Sequence, residues 1–148
     1  MSMSGGGTWA LAPGQITDDS ELAMCQLRGL LAGNGKLDAY HLAKYYGNWI
    51  VKKPFDIGKT TINGLGPLAD CIDNPDPNIA YTAARTGRGH SSQSNGALMR
   101  VTPLAVWTQH LEVHELEQAV SADVKMTHTK STMLDIVTAY CLGIRALI

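Results

Sequence analysis

The sequence predicts a single all-α domain over residues 1–148. Apolar residues recur at helical spacing in several segments, and no segment of useful length alternates apolar with polar residues as a strand does. Hydrophobic residues make up 45% of the 148 positions and charged residues 17%, which is typical of an ordinary globular domain. A chain of this length buries about two-thirds of its unfolded surface without help from a metal or a disulfide. Any metal that it binds is therefore expected to serve function.

Two helices are predicted in the first third of the chain. Asp19 and Ser20 are typical helix caps and precede an apolar periodicity over residues 21–31, which a glycine-rich turn ends. Asp38 is expected to begin a second helix, which ends before Pro54 because the residue preceding a proline disfavours helical backbone. Its apolar residues follow one stripe: Leu42, Tyr46, Trp49 and Ile50.

The middle of the chain is expected to be richer in loops. Glycine and proline between Phe55 and Leu68 leave room for one short helix at most, and residues 74–77 begin another short one. Residues 86–96 contain no apolar side chain. Their glycine, serine and asparagine predict a loop with many hydrogen-bond donors.

Apolar segments return after this loop. Residues 97–107 are apolar nearly all round, so we expect them to be buried, with Pro103 in the first turn of a helix or at a kink. The clearest helix is predicted from Ser131 to Ile148. One of its stripes is apolar: Met133, Val137, Tyr140, Cys141, Ile144 and Ile148.

The composition excludes several function classes. Twelve Lys and Arg against thirteen Asp and Glu leave a net charge of −1, so the chain lacks the basic field that attracts nucleic acid. No apolar run approaches the ~18 residues of a membrane span, and residues 1–7 lack the features of a signal peptide. Three widely spaced cysteines are typical of reduced thiols, so we expect a cytoplasmic protein that does not bind membranes.

The histidines do not predict a zinc site. His110 and His114 are the close pair in the sequence and could share a helix face, but no third ligand lies nearby. A solvated helix face is therefore the favoured interpretation of this pair.

An acidic cluster formed by Thr17, Asp18 and Asp19 has two interpretations. Adjacent carboxylates repel each other, so a positive group is expected beside them. The positive end of a helix favours an aspartate by up to about 1 kcal/mol per charge. Alternatively, these hydroxyl and carboxylate oxygens are the ligands that Mg²⁺ or Ca²⁺ prefers. The spacing alone leaves both interpretations open.

Five motifs, taken in order, resemble segments of the ADP-ribosylglycohydrolase family, which includes the dinitrogenase-reductase-activating hydrolases. Each motif alone is weak, whereas the combination is specific and extends the resemblance from Trp9 to Ile148. The motifs are Thr17-Asp18-Asp19-Ser20-x-x-x-Met24, Asp56-Ile-Gly-x-Thr-Thr61, Ser94-Asn95-Gly96-Ala97-x-Met99-Arg100-x-x-Pro103-Leu104, Ala122-Asp-x-x-x-Thr127-His128 and Ala139-Tyr-Cys141.

The resemblance implies an orthogonal all-helical fold that holds two Mg²⁺ ions and hydrolyses the bond joining ADP-ribose to a protein side chain or a small acceptor. The acidic cluster would supply metal ligands, with Asp18 and Asp19 in the catalytic role. His128 would lie near the phosphates. Residues 92–96, called the serine loop below, would contact the ribose and pyrophosphate: Ser92, Gln93, Ser94, Asn95 and Gly96. Backbone N–H groups of such a loop can hold a pyrophosphate without a basic patch.

Some features of that family are missing from the 148 residues. No Asp-x-Asp pair of the kind that completes the family's metal site is present, and three oxygen ligands cannot fill two six-coordinate sites. The resemblance therefore implies a partial domain, truncated at both ends and completed by a second chain, a homo-oligomer or an internal carboxylate. Asp56 is the first internal candidate, since its motif matches the family, and the others are Glu21, Asp70 and Asp135. Ser94 stands where the family more often has glycine.

Two further functions stay open on the sequence. The chain could bind ADP-ribose or a related nucleotide without turnover, or it could be a structural protein on the same scaffold, since lens crystallins also resemble this family. Arg100 lies between apolar residues and is expected to form a structural ion pair or a carbonyl hydrogen bond. Trp9 is the tryptophan close enough in sequence to line the acidic cluster.

Overall fold

Seven α-helices make up most of the part of the chain that the computed structural model describes, residues 4–148. They are α1 (Asp18–Ala32), α2 (Ala39–Val51), α3 (Lys59–Leu65), α4 (Pro77–Thr86), α5 (Thr102–Trp107), α6 (Val113–Val124) and α7 (Ser131–Arg145). Short 3₁₀ segments lie at Gly66–Cys71, Arg88–His90 and Thr108–His110. Residues 4–148 contain no strand beyond an isolated antiparallel bridge between Gly6 and Leu11. The all-α prediction is confirmed.

The start of α1 differs from the prediction. Asp19 and Ser20 lie inside the helix, and Thr17 is the N-cap residue, with extended backbone and no side-chain capping hydrogen bond. The Thr17 hydroxyl instead donates to Asp19 Oδ2 at 3.2 Å. Asp18, Asp19 and Glu21 occupy the first turn, at the positive end of the helix dipole. The start of α1 therefore carries carboxylates in its first turn and no capping hydroxyl.

Other helix starts follow the predictions. Asp38 precedes α2, and its carboxylate accepts the backbone N–H two residues later at 2.9 Å. Asp76 caps α4 in the same way, with Pro77 at the first helical position. Pro103 lies in the first turn of α5, which is one of the two positions expected for it.

α6 is the helix that the sequence reasoning missed. Its start nevertheless carries a known signal, because the Glu115 side chain accepts the Glu112 N–H at 2.9 Å. The histidine pair is also split there, since His110 belongs to a 3₁₀ segment and His114 to α6. The expectation that the two histidines share a helix face is therefore wrong. α7 ends at Arg145, earlier than predicted.

Two clusters of buried apolar residues form the core, and α1 contributes to both. Leu30 packs with residues of α5, α6 and α7, whereas Leu22 packs with residues of α2, α3 and α4. The chain passes from one cluster to the other at the end of α6, where Val124 belongs to the first and Met126 to the second. His128, two residues further on, is fully buried. The segment from Val124 to His128 is therefore anchored by the packing of both core clusters.

Several apolar side chains remain on the outer surface. The most exposed are Leu31, Leu147 and Ile148, with exposed fractions of 71%, 82% and 66%. These residues lie at or near the ends of helices. None of the helices in residues 4–148 combines the length and apolar character needed to cross a membrane.

Candidate functional site

The acidic cluster lies partly inside the protein. Asp18 keeps only 8% of its surface exposed, whereas Asp19 is exposed and Thr17 is half-buried. Burial, followed by the negative charges of Asp56 and Asp19, raises the pKa of Asp18 from 3.8 to about 6. The fold therefore brings Asp56 within electrostatic reach of Asp18, although the whole of α2 separates them in the sequence.

Asp56 leads into α3, whose first turn contacts the serine loop. Thr60 Oγ1 lies 2.9 Å from Ser92 Oγ. The buried Thr61 lies so close to Gly96 that a Cβ on the glycine would come within 2.8 Å of the threonine Oγ1. Glycine therefore lets the loop backbone approach α3 closely. The segment from Asp56 to Thr61 connects the acidic cluster with the serine loop.

His128 lies beneath the serine loop. Its Nε2 is 3.0 Å from Ser94 Oγ, and its Nδ1 is 2.9 Å from Thr127 Oγ1. The His128 side chain has no exposed surface, while Ser94 is exposed. The Ser92 hydroxyl donates to Ser94 Oγ at 3.1 Å and accepts the Ser94 N–H at 3.2 Å. The serine loop and His128, both predicted from the resemblance, are therefore in direct contact.

A buried arginine contacts both the serine loop and the segment that contains His128. Arg100 forms an ion pair with the Asp123 carboxylate at 3.1 Å and donates to the Asp123 carbonyl at 3.0 Å. Its Nη1 donates to the Gly96 carbonyl at 2.8 Å and to Thr127 Oγ1 at 3.1 Å. The prediction that Arg100 forms a structural ion pair or a carbonyl hydrogen bond is confirmed, since it forms both.

Tyr46 completes the surroundings of this ion pair. Its hydroxyl donates to Asp123 Oδ1, and its ring centroid lies 5.2 Å from the Arg100 guanidinium carbon. Burial is the largest single influence on the pKa of Arg100 and lowers it, but Asp123 and Tyr46 together outweigh burial, so the pKa of Arg100 is raised. Burial and the Asp123 charge raise the pKa of Tyr46 well above its usual value. At neutral pH the Arg100 guanidinium is therefore charged and the Tyr46 hydroxyl is protonated.

His128 is neutral at neutral pH. Burial and then the positive charge of Arg100 lower the pKa of His128 from 6.5 to about 4. A neutral imidazole carries one proton, so one ring nitrogen donates while the other accepts. His128 therefore offers a ligand hydrogen bonding and no charge.

The remaining residues of the serine loop face outward. Gln93 and Asn95 are exposed, and the Asn95 carbonyl accepts the Met99 N–H at 2.9 Å. Asn95 thus begins the turn that leads toward the buried segment before α5. Within the loop, Ser92, Ser94 and Gly96 make the contacts with α3 and His128.

The oxygen donors at the acidic cluster match a hard cation in type but do not complete a site in number. Within residues 4–148, no three His, Cys, Asp or Glu side chains lie together closely enough to hold a metal ion. Asp18 responds to the charges of Asp19 and Asp56, but such coupling reaches well beyond the length of a coordination bond. Further oxygen ligands are required before this cluster can coordinate two ions.

The other candidate carboxylates do not join the cluster. Glu21 accepts the Trp49 Nε1–H at 2.7 Å. Asp70 and Asp135 are exposed, and neither is among the charges that raise the pKa of Asp18. Asp56 is therefore the internal candidate that the fold supports.

Trp9 packs against the residue before Asp56. Its ring meets the Phe55 ring edge-on, with the centroids 6.0 Å apart. Both aromatic side chains are exposed, Trp9 at 52% and Phe55 at 42%. An exposed aromatic pair thus lies next to Asp56 in the chain.

Three residues that shape the site have no role in the sequence prediction: Thr60, Asp123 and Tyr46. Thr60 and Asp123 belong to motifs that carry the family resemblance, and Tyr46 lies on the apolar stripe predicted for α2. Asp123 carries the strongest signal, because a carboxylate in a helix flanked by apolar residues needs a buried partner. The cation that pairs with Asp123 in the structure is Arg100.

A broad groove lies apart from these residues, between α4 and α6. Its sides include Arg85, Glu117 and Lys125. None of the residues predicted to bind metal or ADP-ribose lines this groove.

Comparisons with known proteins agree on one family. A family model described as ADP-ribosylglycohydrolase matches residues 1–148. A protein of Acanthamoeba polyphaga mimivirus, named as an ADP-ribosyl glycohydrolase, is 32% identical over 143 residues, which cover 93% of this chain and 41% of that protein. The ADP-ribosyl-[dinitrogen reductase] glycohydrolase of Rhodospirillum rubrum is 33% identical over 126 residues, covering 85% of this chain and 39% of the relative.

A third relative is the ADP-ribosylarginine hydrolase Tri1 of Pseudomonas putida. It is 34% identical over 119 residues, covering 73% of this chain and 28% of the relative. The chain therefore spans 28% to 41% of the length of these three relatives. Because the family model matches residues 1–148 of this chain, the chain belongs to the ADP-ribosylglycohydrolase family.

Proposed function

We propose that the chain takes part in hydrolysing the glycosidic bond that links ADP-ribose to a protein side chain or a small acceptor, in a Mg²⁺-dependent reaction. The observation that carries this proposal is the contact between Ser94 and His128 at 3.0 Å. The serine loop also contacts α3 through Ser92 and Thr60. Segments that are far apart in the sequence thus meet at one place, where the exposed serine loop offers hydrogen-bond donors to a ligand and the buried His128 supports it.

The serine loop would bind the pyrophosphate and ribose of ADP-ribose. Converging backbone N–H groups and hydroxyls attract an anion without a basic patch, which suits a chain with a net charge of −1. Gly96 has no side chain to stand between the loop backbone and a ligand. The exposed side chains of Gln93 and Asn95 would supply further polar contacts.

Thr17, Asp18, Asp19 and Asp56 would hold Mg²⁺, with two ions in a complete site. All four residues offer oxygen, the donor that Mg²⁺ prefers. When bound, the ions supply the positive charge that polarises the reacting centre and orients the ribose hydroxyls. Asp18 and Asp19 would be the catalytic carboxylates at the ribose. Because the described carboxylates form no metal cluster alone, the proposal requires additional oxygens from substrate, water or a second chain.

The names of the relatives indicate a substrate class. The Rhodospirillum rubrum protein is named for ADP-ribosyl-dinitrogen reductase and the Pseudomonas putida protein for ADP-ribosylarginine. For this chain we propose an ADP-ribosylated protein or a small ADP-ribose conjugate as substrate. A second copy of the chain, or a partner chain, would complete the site.

A second candidate function is binding of ADP-ribose without turnover, or a purely structural, crystallin-like role on the same scaffold. One observation favours it: residues 4–148 contain no group of three His, Cys, Asp or Glu side chains placed to hold a metal ion. The serine loop and His128 do not depend on the metal ligands for their mutual contact. Ligand binding would therefore persist without hydrolysis.

The test of the first candidate is release of ADP-ribose from a protein ADP-ribosylated on arginine. We expect release in the presence of Mg²⁺ and none in EDTA. The double variant Asp18→Ala with Asp19→Ala should be inactive, and Glu117→Ala, which removes an exposed carboxylate on α6, is the matched control. Activity that survives in the double variant would rule out the metal role of these residues.

Calorimetry with ADP-ribose separates the two candidates. Heat of binding without any release of product would support the non-catalytic candidate. The absence of both heat and a thermal shift at millimolar ADP-ribose would contradict both ligand-based functions. It would favour the structural role.

A further inference from the structure

A cavity between α1 and α2 lies next to the acidic cluster. It has a volume of about 570 Å³ and is called the α1–α2 cavity below. The Trp49 Nε1–H donates to Glu21 Oε2 at 2.7 Å, so the end of α2 lies against the start of α1 and the two helices run antiparallel. Ile16 lines the cavity, and Thr17 of the acidic cluster follows it directly in the chain. A substrate that reacts at the acidic cluster therefore has this cavity beside it.

The walls of the α1–α2 cavity are largely apolar. Ile16 and Met24 line it with exposed side chains, and Tyr45 and Trp49 add two aromatic rings from α2. Covering exposed apolar surface is favourable, and a flexible methionine adapts to side chains of different shape. The walls therefore favour an apolar side chain as one part of the ligand.

Three charged side chains line the same cavity: Glu21, Arg28 and Lys52. They surround Cys25, which is buried at the cavity. Burial raises the pKa of the Cys25 thiol to about 11, and all three charges also act on it. Within residues 4–148 neither Arg28 nor Lys52 belongs to an ion pair, whereas Glu21 already accepts the Trp49 N–H. The two unpaired cations therefore favour a carboxylate as the second part of the ligand.

Asn48 offers the hydrogen bonds that a peptide backbone needs. It is a half-buried residue of α2 and lines the cavity. Its side-chain amide both donates and accepts, and each peptide group likewise carries one donor and one acceptor. The cavity volume falls within the range of about 300–1,000 Å³ that is usual for bound ligands. A short segment of polypeptide therefore matches the cavity in polar groups and in size.

We propose that the α1–α2 cavity binds the polypeptide segment next to the ADP-ribosylated side chain of a protein substrate, with an apolar residue against Met24 and a carboxylate toward Arg28 and Lys52. The inference rests on the proposed function, in which the modified side chain reacts at the acidic cluster. It adds a preference for apolar and acidic residues beside the modified one. A free ADP-ribosylated amino acid has no such segment and leaves the cavity empty.

The first experiment measures peptide binding without ADP-ribose. The probe is acetyl-Leu-Arg-Leu-Glu-amide, and its control has lysine in place of glutamate. Trp9→Phe with Trp107→Phe leaves Trp49 as the single tryptophan of the chain, so its fluorescence reports on the cavity. We expect a saturable change of Trp49 emission and about tenfold weaker binding of the lysine peptide. Calorimetry on the unchanged chain repeats both titrations. Equal affinities of the two peptides, or no binding at millimolar peptide, would overturn the proposal.

A charge reversal locates the carboxylate of the peptide. The double variant Arg28→Glu with Lys52→Glu should bind the lysine peptide more tightly than the glutamate peptide. Lys36→Glu with Lys44→Glu changes the net charge equally at two exposed positions outside the cavity, and this control should keep the preference of the unchanged chain. If the first double variant also kept that preference, the peptide would bind elsewhere and the proposal would fail.

Kinetics separate docking of the segment from events at the acidic cluster. The substrates are free ADP-ribosylarginine and a protein whose ADP-ribosylated arginine is flanked by leucine and glutamate. The double variant Arg28→Glu with Lys52→Glu should raise the KM of the protein about tenfold more than the KM of the free amino acid. Equal rises would overturn the docking role.

The remaining outcomes distinguish this inference from the proposed function. If the unchanged chain releases ADP-ribose from neither substrate, the proposed function is refuted, while the peptide titrations still decide what the cavity binds. Sedimentation equilibrium examines a second copy of the chain as the occupant. A dimer that dissociates when the glutamate peptide is added would assign the cavity to that second copy and overturn the proposal.

Discussion

Arg100 and Asp123 form an ion pair that solvent does not reach. Their side chains lie 3.1 Å apart, and both are fully buried. Asp123 also accepts a hydrogen bond from Tyr46, and Arg100 donates to the Gly96 carbonyl and to Thr127. These extra hydrogen bonds offset the cost of removing two charges from water. The same ion pair therefore stabilises the core and fixes the two segments that meet at the candidate site.

Asp123→Asn is expected to destabilise the fold by about 3–5 kcal/mol, because the Arg100 guanidinium would remain buried without its counter-charge. Tyr46→Phe removes a single hydrogen bond to a charged acceptor and should cost about 1.5–3 kcal/mol. The free energy of unfolding is measured by urea denaturation for both variants. A loss for Asp123→Asn no larger than the ~1 kcal/mol of an exposed pair would contradict this account.

Alanine at two glycines should have opposite effects on stability. A Cβ on Gly89 would overlap the Thr127 carbonyl oxygen and lie 2.7 Å from the Ala84 carbonyl oxygen. We expect Gly89→Ala to cost about 1–3 kcal/mol. Gly143 in α7 has no atom within 4 Å of the added Cβ, so Gly143→Ala should stabilise the helix by about 0.5–1 kcal/mol. Thermal unfolding measures the stability of both variants. Equal shifts of Tm would show that the space around Gly89 does not limit the size of its side chain.

The parts of the fold that the sequence predicted have local causes. Asp38 and Pro103 act on their own helix starts, so their roles follow from neighbouring residues alone. The start of α1 was misplaced because several consecutive residues are typical caps, and the actual N-cap, Thr17, makes no side-chain capping hydrogen bond. α6 was missed although its start also has a local indication of a helix, since the Glu115 side chain accepts the Glu112 N–H.

The site was predictable only through the resemblance. Ser94 and His128 were expected to contact the same ligand, and in the structure they contact each other. The same sequence did not predict that Ser94 covers His128, since burial depends on how distant segments pack. The partner of Arg100 was equally hidden: Asp123 is 23 positions away, and an ion pair at that separation has no sequence period.

Asp18→Asn should make stability less sensitive to pH. The pKa of Asp18 is raised from 3.8 to about 6, so the folded state holds a proton that the unfolded state has lost between these values. Stability of the unchanged chain therefore falls as pH rises from about 4 to about 6. Asparagine removes this dependence, so in EDTA the variant should be more stable above pH 6, by at most about 3 kcal/mol.

Melting temperatures of both chains, measured from pH 4 to pH 8 in EDTA, check this prediction. The two curves should converge near pH 4 and diverge above pH 6. Asp135→Asn, at an exposed position on α7, should follow the unchanged chain throughout. A variant that is less stable than the unchanged chain at pH 8 would show that the helix dipole, and not repulsion, dominates at Asp18.

Asp56→Asn should weaken Mg²⁺ binding while leaving the fold intact, because Asp56 is half-buried and lies within electrostatic reach of Asp18. At Mg²⁺ ten times above its Kd, binding to the folded state should raise the Tm of the unchanged chain by about 3–5 °C. Most of that shift should be lost in Asp56→Asn and retained in Asp70→Asn, which removes an exposed carboxylate from the 3₁₀ segment after α3. The measurement is thermal unfolding in MgCl₂ against NaCl of matched ionic strength, since screening alone changes carboxylate repulsion. Equal shifts in the two variants would remove Asp56 from the metal site and leave the acidic cluster dependent on oxygens from substrate, water or a second chain.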